Sequence, residues 1–326
     1  MQVLKEKGHD YLWFITDNLI GKFPYPSEPV ISEIEELKKY SSDAIFCPGN
    51  EVLHFVRGVK VQVFHGLAGE KKSHFKIRHY FDLYLTQGPY FTEKFNHLKK
   101  KYRDFQVVET GWSKLDIYSK NNSRFEKEKK ELLQKFSASK MLLYAPTFSP
   151  SLTSAPSLLT EIEELSKNRE YLILVKFHDL MSSEVADSYR SLAQKIPNLI
   201  VEEEPNIIKF LIMADLMISD TSSVVYEFLL LNKPVITFKN NSANVRWEDS
   251  KKHEDLVKKV QENLQKDPFK SQRKKIIEAY HPYNDGLSSL RMVEAVEDYI
   301  KKYHVPEKRK LPFLRKLKMN KMFKKK

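Results

Sequence analysis

Short apolar runs and amphipathic stretches alternate along this chain, and the alternation predicts its elements. Residues 1–7 read as a helix and residues 11–16 (YLWFIT) as a strand. Residues 32–40 carry Ile34 and Leu37 three apart, the spacing of one helix face. Runs at 44–47 (AIFC), 61–64 (VQVF), 83–86 (LYLT) and 107–109 (VVE) are short and apolar, as buried strands are. Strands alternating with helices predict a parallel sheet covered by helices. A domain of this kind ordinarily opens on a strand and a loop. This one opens on a helix, so it reads as trimmed at its N-terminus or as preceded by further chain.

A charged helix at 124–136 leads into a second alternating series. Its strands fall at 141–144, 172–175, 199–201, 216–219 and 235–238. Its helices fall at 158–167, 183–195, 207–213 and 222–231, and a helical segment follows at 249–302. Charge and Ser/Asn content rise between 121 and 140, which places a boundary there. The expected organisation is a first domain at 1–123, a second at 124–304 and a tail at 305–326. The fold class is α/β, with two Rossmann-like domains facing a cleft. Ligands of such sheets bind outside the carboxyl ends of the strands.

Composition narrows the picture. With 326 residues, 41% apolar and 12% aromatic, the chain can build two cores. The lone Cys47 allows no internal disulfide and supplies no metal cluster, and it fits a reducing compartment. The opening MQVLKEKGHD lacks the apolar centre of a signal peptide. No apolar run approaches the length of a bilayer span. The net charge of +12 is uneven. From Val305 onward ten basic residues meet only Glu307, and Leu311, Phe313, Leu314, Leu317, Met319, Met322 and Phe323 lie among them. This mixture suits an anionic membrane surface. Nucleic-acid contact and a merely solvated tail are the rival readings, and no nucleic-acid motif occurs elsewhere.

Four motifs fall at predicted strand ends. In FHGLAGEK, His65 and Gly66 follow a strand at once. A histidine there can titrate near neutral pH and act as a base, or it can merely cap the strand. Gly66 permits close ligand approach, and Lys71 can neutralise a phosphate. YAPTFS offers the Thr147 hydroxyl. In VKFHD, Lys176 and His178 are two apart and are expected to point the same way, as a pyrophosphate would require. In HPYNDGLSSLR a turn enters a helix that carries Arg291 in its first turn; a simple cap is the equal reading. The most informative stretch is ISDTSSVVYEFLLLNKPVITF, residues 218–238. Here Ser219, Asp220, Thr221, Ser222 and Ser223 form a polar turn before a helix. Backbone N–H groups and hydroxyls at a helix start make an anion site, and the same residues also serve as plain caps.

In order, HG…K, APTF, K-x-H, SD-x-SS-x-x-x-E-F-x-x-x-x-KP and DG-x-x-S-x-R resemble the CDP-glycerol glycerophosphotransferases, the teichoic-acid-type primases and polymerases. The resemblance runs from about Val61 to Arg291. It implies a GT-B fold. It also implies transfer of glycerol phosphate or ribitol phosphate from a CDP-alditol to a hydroxyl of a lipid-linked acceptor. The reaction would take place in the cytoplasm, at the inner membrane face. The family's two functional histidines fall on His65 and His178, and its phosphate turn falls on Ser219, Asp220, Ser222 and Ser223. The chain departs from the pattern in three places: HGLAGEK sets Lys71 one place late, Ser149 replaces a common Arg, and Asp179 replaces a common Pro.

The mechanism expected from this reading sets the donor pyrophosphate at residues 221–223, with Lys176, His178 and Arg291 offsetting its charge. His65 takes the proton of the attacking hydroxyl. Positioning and charge stabilisation carry most phosphoryl transfers. No motif requires a cofactor or resident metal, although Asp220 or Asp285 is placed to hold Mg²⁺ through phosphate. Two other readings stay open at this level. One is a UDP-sugar transferase or epimerase on the same fold, and the other is a non-catalytic adaptor driven by the basic tail.

Overall fold

The computed structural model describes residues 1–67, 74–119, 123–242 and 245–323. The chain forms two compact units: Met1–Ser119 with Tyr280–Lys326, and Lys120–Ala279. This corrects the expected second domain, which ran to His304. The chain from Tyr280 onward belongs to the first unit, and the basic tail is part of that unit as well.

The first unit holds a two-stranded parallel pair, β1 (Trp13–Phe14) with β2 (Val30–Ile31), and a four-stranded parallel sheet. The sheet runs β3 (Ala44–Cys47), β4 (Val59–Gln62), β5 (Leu83–Thr86) and β6 (Gln106–Glu109) in chain order. Every residue of β4 and β5 is buried, as expected of strands covered on both faces. The sequence reading placed β4 two residues late and missed β2. It also missed the helix Pro89–Tyr102, which packs Phe91 and Phe95 inward. Those two lie four apart on one face, and Phe95 stacks on Tyr84 at 4.9 Å. Gly88 precedes this helix, and a Cβ there would sit 2.4 Å from the Tyr280 carbonyl oxygen. Only glycine fits at that position.

The second unit is a six-stranded parallel sheet. In chain order its strands are β7 (Lys140–Tyr144), β8 (Tyr171–Val175), β9 (Leu199–Val201), β10 (Leu216–Ser219), β11 (Val235–Phe238) and β12 (Glu248–Ser250). In space they run β9-β8-β7-β10-β11-β12. This is the doubly wound order, and it reverses between β7 and β10. Met217 lies opposite Leu143 in that central pair. The core holds Leu142, Tyr144, Ile173, Val175, Leu216 and Ile218 of the sheet, with Leu158, Ile162 and Tyr189 from two covering helices. The expected helical segment from 249 instead opens on the polar edge strand β12, then forms helices Leu256–Lys266 and Lys270–Tyr280.

Candidate active site

In the first unit the loops that leave the sheet strands meet at His65. Strand β4 ends at Gln62, whose side chain accepts from Phe64 N at 3.1 Å and donates to Gly49 O at 2.8 Å. Phe64 is buried with φ of 58°, a left-handed conformation unusual for a large side chain. Trp112, beyond β6, donates its indole N–H to Phe64 O at 3.3 Å. Gln87, beyond β5, reaches Gly66 O at 3.3 Å. The backbone at the HG turn is therefore held by Gln62 at the end of its own strand and by groups following two other strands, β5 and β6.

This scaffold defines the tautomer of His65. Its Nδ1 lies 3.0 Å from Pro48 O. A carbonyl only accepts, so Nδ1 is the donor and the neutral ring carries its lone pair on Nε2. The side chain is exposed. The residue can therefore present a base to a hydroxyl outside the strand ends. Behind it, His74 stacks on Phe64 at 4.8 Å. Burial, with His65 close by, depresses His74 to about 4. His281 is buried too, and its Nε2 accepts from Trp112 N at 2.9 Å. Burial lowers His281 to about 4. Its place is thus two steps behind His65, through Trp112 and Phe64. Lys71 lies outside the described residues.

Arg291 also sits in the first unit, not with the donor-side residues of the second as expected. It forms a two-pronged pair with Asp285 at 2.8 and 3.1 Å and donates to Thr110 O at 2.8 Å. This pair holds the Asp285 carboxyl down at about 2. Asp116 occupies the start of the helix Ser288–Tyr303, accepting from the backbone N–H groups of Ser288 and Ser289 at 2.8 Å each. Both the arginine and the helix start are engaged within their own unit.

In the second unit the SD-x-SS turn lies at the carboxyl end of β10, beside the carboxyl end of β7, where the strand order reverses. Ser219 and Asp220 are fully buried. Ser219 donates to Ala145 O at 2.7 Å. Asp220 accepts from Thr147 N at 2.9 Å, and from Ser154 N and Oγ at 2.8 and 2.9 Å. Burial raises its carboxyl, against the pull of these donors. These two residues join the APTF loop to the turn. Thr221 Oγ1 accepts from Asn241 N at 3.0 Å. Ser222 is half-buried and Ser223 exposed, and the helix proper begins at Val224. Thr147 is half-buried beside them.

Lys176 and His178 do not behave alike. Strand β8 ends at Val175, and Lys176 turns inward to donate to Phe177 O at 2.8 Å. His178 is exposed, with its ring 4.5 Å from Phe148 and its Nδ1 accepting from Leu180 N at 3.2 Å. Both line a cavity of about 370 Å³ with Arg190, Glu202 and Glu203. Among the described residues no group of three His, Cys, Asp or Glu is placed to hold a metal ion. The two carboxylates considered for Mg²⁺, Asp220 and Asp285, have their oxygens engaged as described.

Residues 58–246, well over half of the chain, match the family model described as CDP-Glycerol:Poly(glycerophosphate) glycerophosphotransferase. The chain belongs to this family. It is 26% identical over 237 residues to the teichoic acid glycerol-phosphate primase of Bacillus subtilis (strain 168), a match covering 67% of this chain and 58% of that protein. The chain thus spans less than three fifths of that relative's length. Its fold is similar to that of the wall teichoic acid polymerase TagF, with a TM-score of 0.66, 16% identity, and coverage of 92% of this chain and 84% of that one. It is also similar to S. aureus MnaA, solved with UDP, with a TM-score of 0.62, 16% identity and 92% coverage of both chains. The fold is GT-B-like.

For a glycerophosphotransferase-family chain, the motif residues divide into two kinds. Lys233 of the family's KP pair donates to Ala214 O at 2.7 Å, and also to Ile212 O, closing the end of the helix Ile208–Met213. Burial draws this lysine down to about 8. It is a clamp on the scaffold, as Ser219, Asp220 and His281 are. Among the described motif residues, His65, His178 and Ser223 are exposed and Ser222 is half-buried, so these four are turned toward solvent in a way the clamps are not. Sequence reasoning missed Gln62, Gln87 and Trp112, although two glutamines closing buried apolar strands are a readable signal.

Proposed function

We propose that this chain transfers an alditol phosphate, glycerol phosphate in the first instance, from a CDP-alditol to a hydroxyl of a lipid-linked acceptor. The observation that carries the reading is the exposed His65 imidazole, whose Nδ1 is tied to Pro48 O, so that in the neutral ring Nε2 is the accepting nitrogen. It joins the family match across residues 58–246. In the proposed mechanism Nε2 of His65 takes the proton of the attacking hydroxyl. The hydroxyl oxygen bonds to the phosphorus that carries the alditol, and the bond from that phosphorus to the bridging oxygen breaks, releasing CMP. Ser222, Ser223 and the N–H groups of their turn receive phosphate oxygens, as the strand reversal beside them favours. His178, with Thr147 nearby, offsets the remaining charge.

TagF was solved as histidine variants, one of them soaked with CDPG, which supports a donor of this type. The similarity to MnaA with UDP favours a second reading, a UDP-sugar transferase or epimerase. The acceptor reading places the protein at the cytoplasmic face of a membrane, held there through its basic C-terminal segment. No helix of the described residues is long and apolar enough to cross a bilayer.

The test is thermal stabilisation by CDP, CMP, UDP and UDP-sugars, followed by CMP release from CDP-glycerol and CDP-ribitol with and without Mg²⁺. A ligand bound only by the native state raises the melting point. Stabilisation by CDP and acceptor-dependent CMP release are expected. Stabilisation by UDP alone, with no CMP release, transfers the assignment to the sugar-nucleotide reading.

A further inference from the structure

The C-terminal segment was expected to act through its charge, but its strongest charge is spent inside the protein. Arg309 is buried. It pairs with Asp82 and with Asp104 at 3.1 Å, and donates to His79 O at 2.7 Å and Asp104 O at 2.8 Å. Its own N–H donates to His54 O at 2.9 Å. Breaking a buried pair of this kind is strongly unfavourable. The segment after it is therefore fixed to the first unit. The helix Phe313–Phe323 follows, and Met319 is fully buried in the aromatic core with Phe64, Tyr84 and Phe95.

This helix carries apolar residues on two opposite sides. At 100° per residue, Phe313, Leu314 and Leu317 cluster on one side, and Met319 points about 180° away. Met319 is covered by the core. Phe313 is 73% exposed, Leu314 77% and Leu317 50%. Three large apolar side chains held this open on one helical face mark an interaction site. Lys308, Lys310 and Lys316 of the same segment are exposed, and Glu307 is the one acid in it. An exposed apolar face in a segment of exposed lysines is complementary to an anionic lipid surface, where the apolar side chains enter the acyl boundary and the ammonium groups stay at the headgroups.

We propose that the Phe313–Leu314–Leu317 face inserts into an anionic bilayer and fixes the first unit against it. The inference rests on the membrane reading given above and changes its physics: insertion supplies the binding, while the lysines supply attraction. The same unit carries His65, so the base that meets the acceptor hydroxyl belongs to the unit that holds the membrane.

The test uses the full chain and sedimentation with phosphatidylcholine vesicles, with and without phosphatidylglycerol. Wild-type protein is expected to sediment with the anionic vesicles. Phe313→Ala/Leu314→Ala/Leu317→Ala is expected to lose on the order of tenfold to a hundredfold in partitioning, with an unchanged melting point, because these side chains are outside the core. Lys308→Ala/Lys310→Ala/Lys316→Ala is expected to lose a few-fold and to flatten the salt dependence. Equal vesicle binding by the apolar triple variant and wild type overturns the proposal. So does a concentration-dependent dimer that the variant lacks, since a second copy would then cover the face. So does binding to DNA or RNA in preference to vesicles. CMP release measured with a soluble acceptor stays near wild type in both variants. Its absence in the wild type would count against the transfer reading and leave the membrane result standing.

Discussion

The turn after β4 in the first unit and the turn after β10 in the second are built by opposite means. At the first, the scaffold comes from outside the motif. Gln62, Gln87, Trp112 and Pro48 hold the backbone and ring so that His65 stands exposed. At the second, the motif's own side chains make the ties to the neighbouring loops. Ser219 and Asp220 are buried and tie Ala145, Thr147 and Ser154 to the turn, leaving Ser222 and Ser223 toward solvent. Proximity within a motif therefore does not equal a shared role. Burial decides which residues meet ligand and which hold the loop.

The largest effect is expected at the exposed base. His65→Ala should lower turnover by about 10²–10⁴, the usual contribution of a positioned general base, while donor affinity is kept. Single-turnover CMP release and a donor titration separate the two quantities. Parallel loss of donor affinity would make His65 a donor-binding residue and remove the contrast between the two turns.

Next comes the buried carboxylate. Asp220→Ala leaves the buried N–H of Ser154 and the half-buried N–H of Thr147 without their acceptor. That should destabilise the second unit by roughly 3–5 kcal/mol. Denaturant unfolding reads this directly. A variant with wild-type stability and weak donor binding would show that Asp220 meets the ligand after all.

How far these roles were legible depended on whether local pattern or distant pairing set them. The strands at 83–86, 216–219 and 235–238 were readable because each is a short apolar run, and the observed bounds agree. Strand β12 is Glu248, Asp249 and Ser250, an edge with no apolar signal to read. The helix Pro89–Tyr102 has only Phe91 and Phe95 as buried anchors among many polar residues, so its period was weak. Arg309 is the clearest failure. Its partners Asp82 and Asp104 lie more than two hundred positions away, and a run of basic residues carries no trace of such a pair. The same limit hid the return of the chain from Tyr280 to the first unit.

The histidines packed behind His65 offer a smaller, pH-dependent effect. His281 must stay neutral, because its Nε2 accepts the Trp112 N–H. Its folded value is about 4, against an ordinary 6.5 in the unfolded chain. Between those values the unfolded chain binds the extra proton, so stability falls as pH drops from about 6.5 to about 4. The shift corresponds to roughly 3 kcal/mol over that window. Calorimetry across it should show a shallower decline for His281→Gln than for wild type. An unchanged slope would assign the acid sensitivity to His74, which burial also lowers to about 4.

The smallest expected effect makes the sharpest comparison with Asp220. Ser223 lies three residues along the same turn and is exposed. Ser223→Ala removes no buried contact, so stability should stay within about 0.5 kcal/mol of wild type. If the hydroxyl donates to a donor phosphate, losing that one hydrogen bond weakens CDP binding by about threefold to tenfold. A CDP titration of the two variants then gives a double dissociation: Asp220→Ala changes folding stability, and Ser223→Ala changes affinity alone. Should Ser223→Ala bind CDP as wild type does, the phosphate would have to be received by the turn's N–H groups and Ser222. The exposed half of the motif would then act through its backbone.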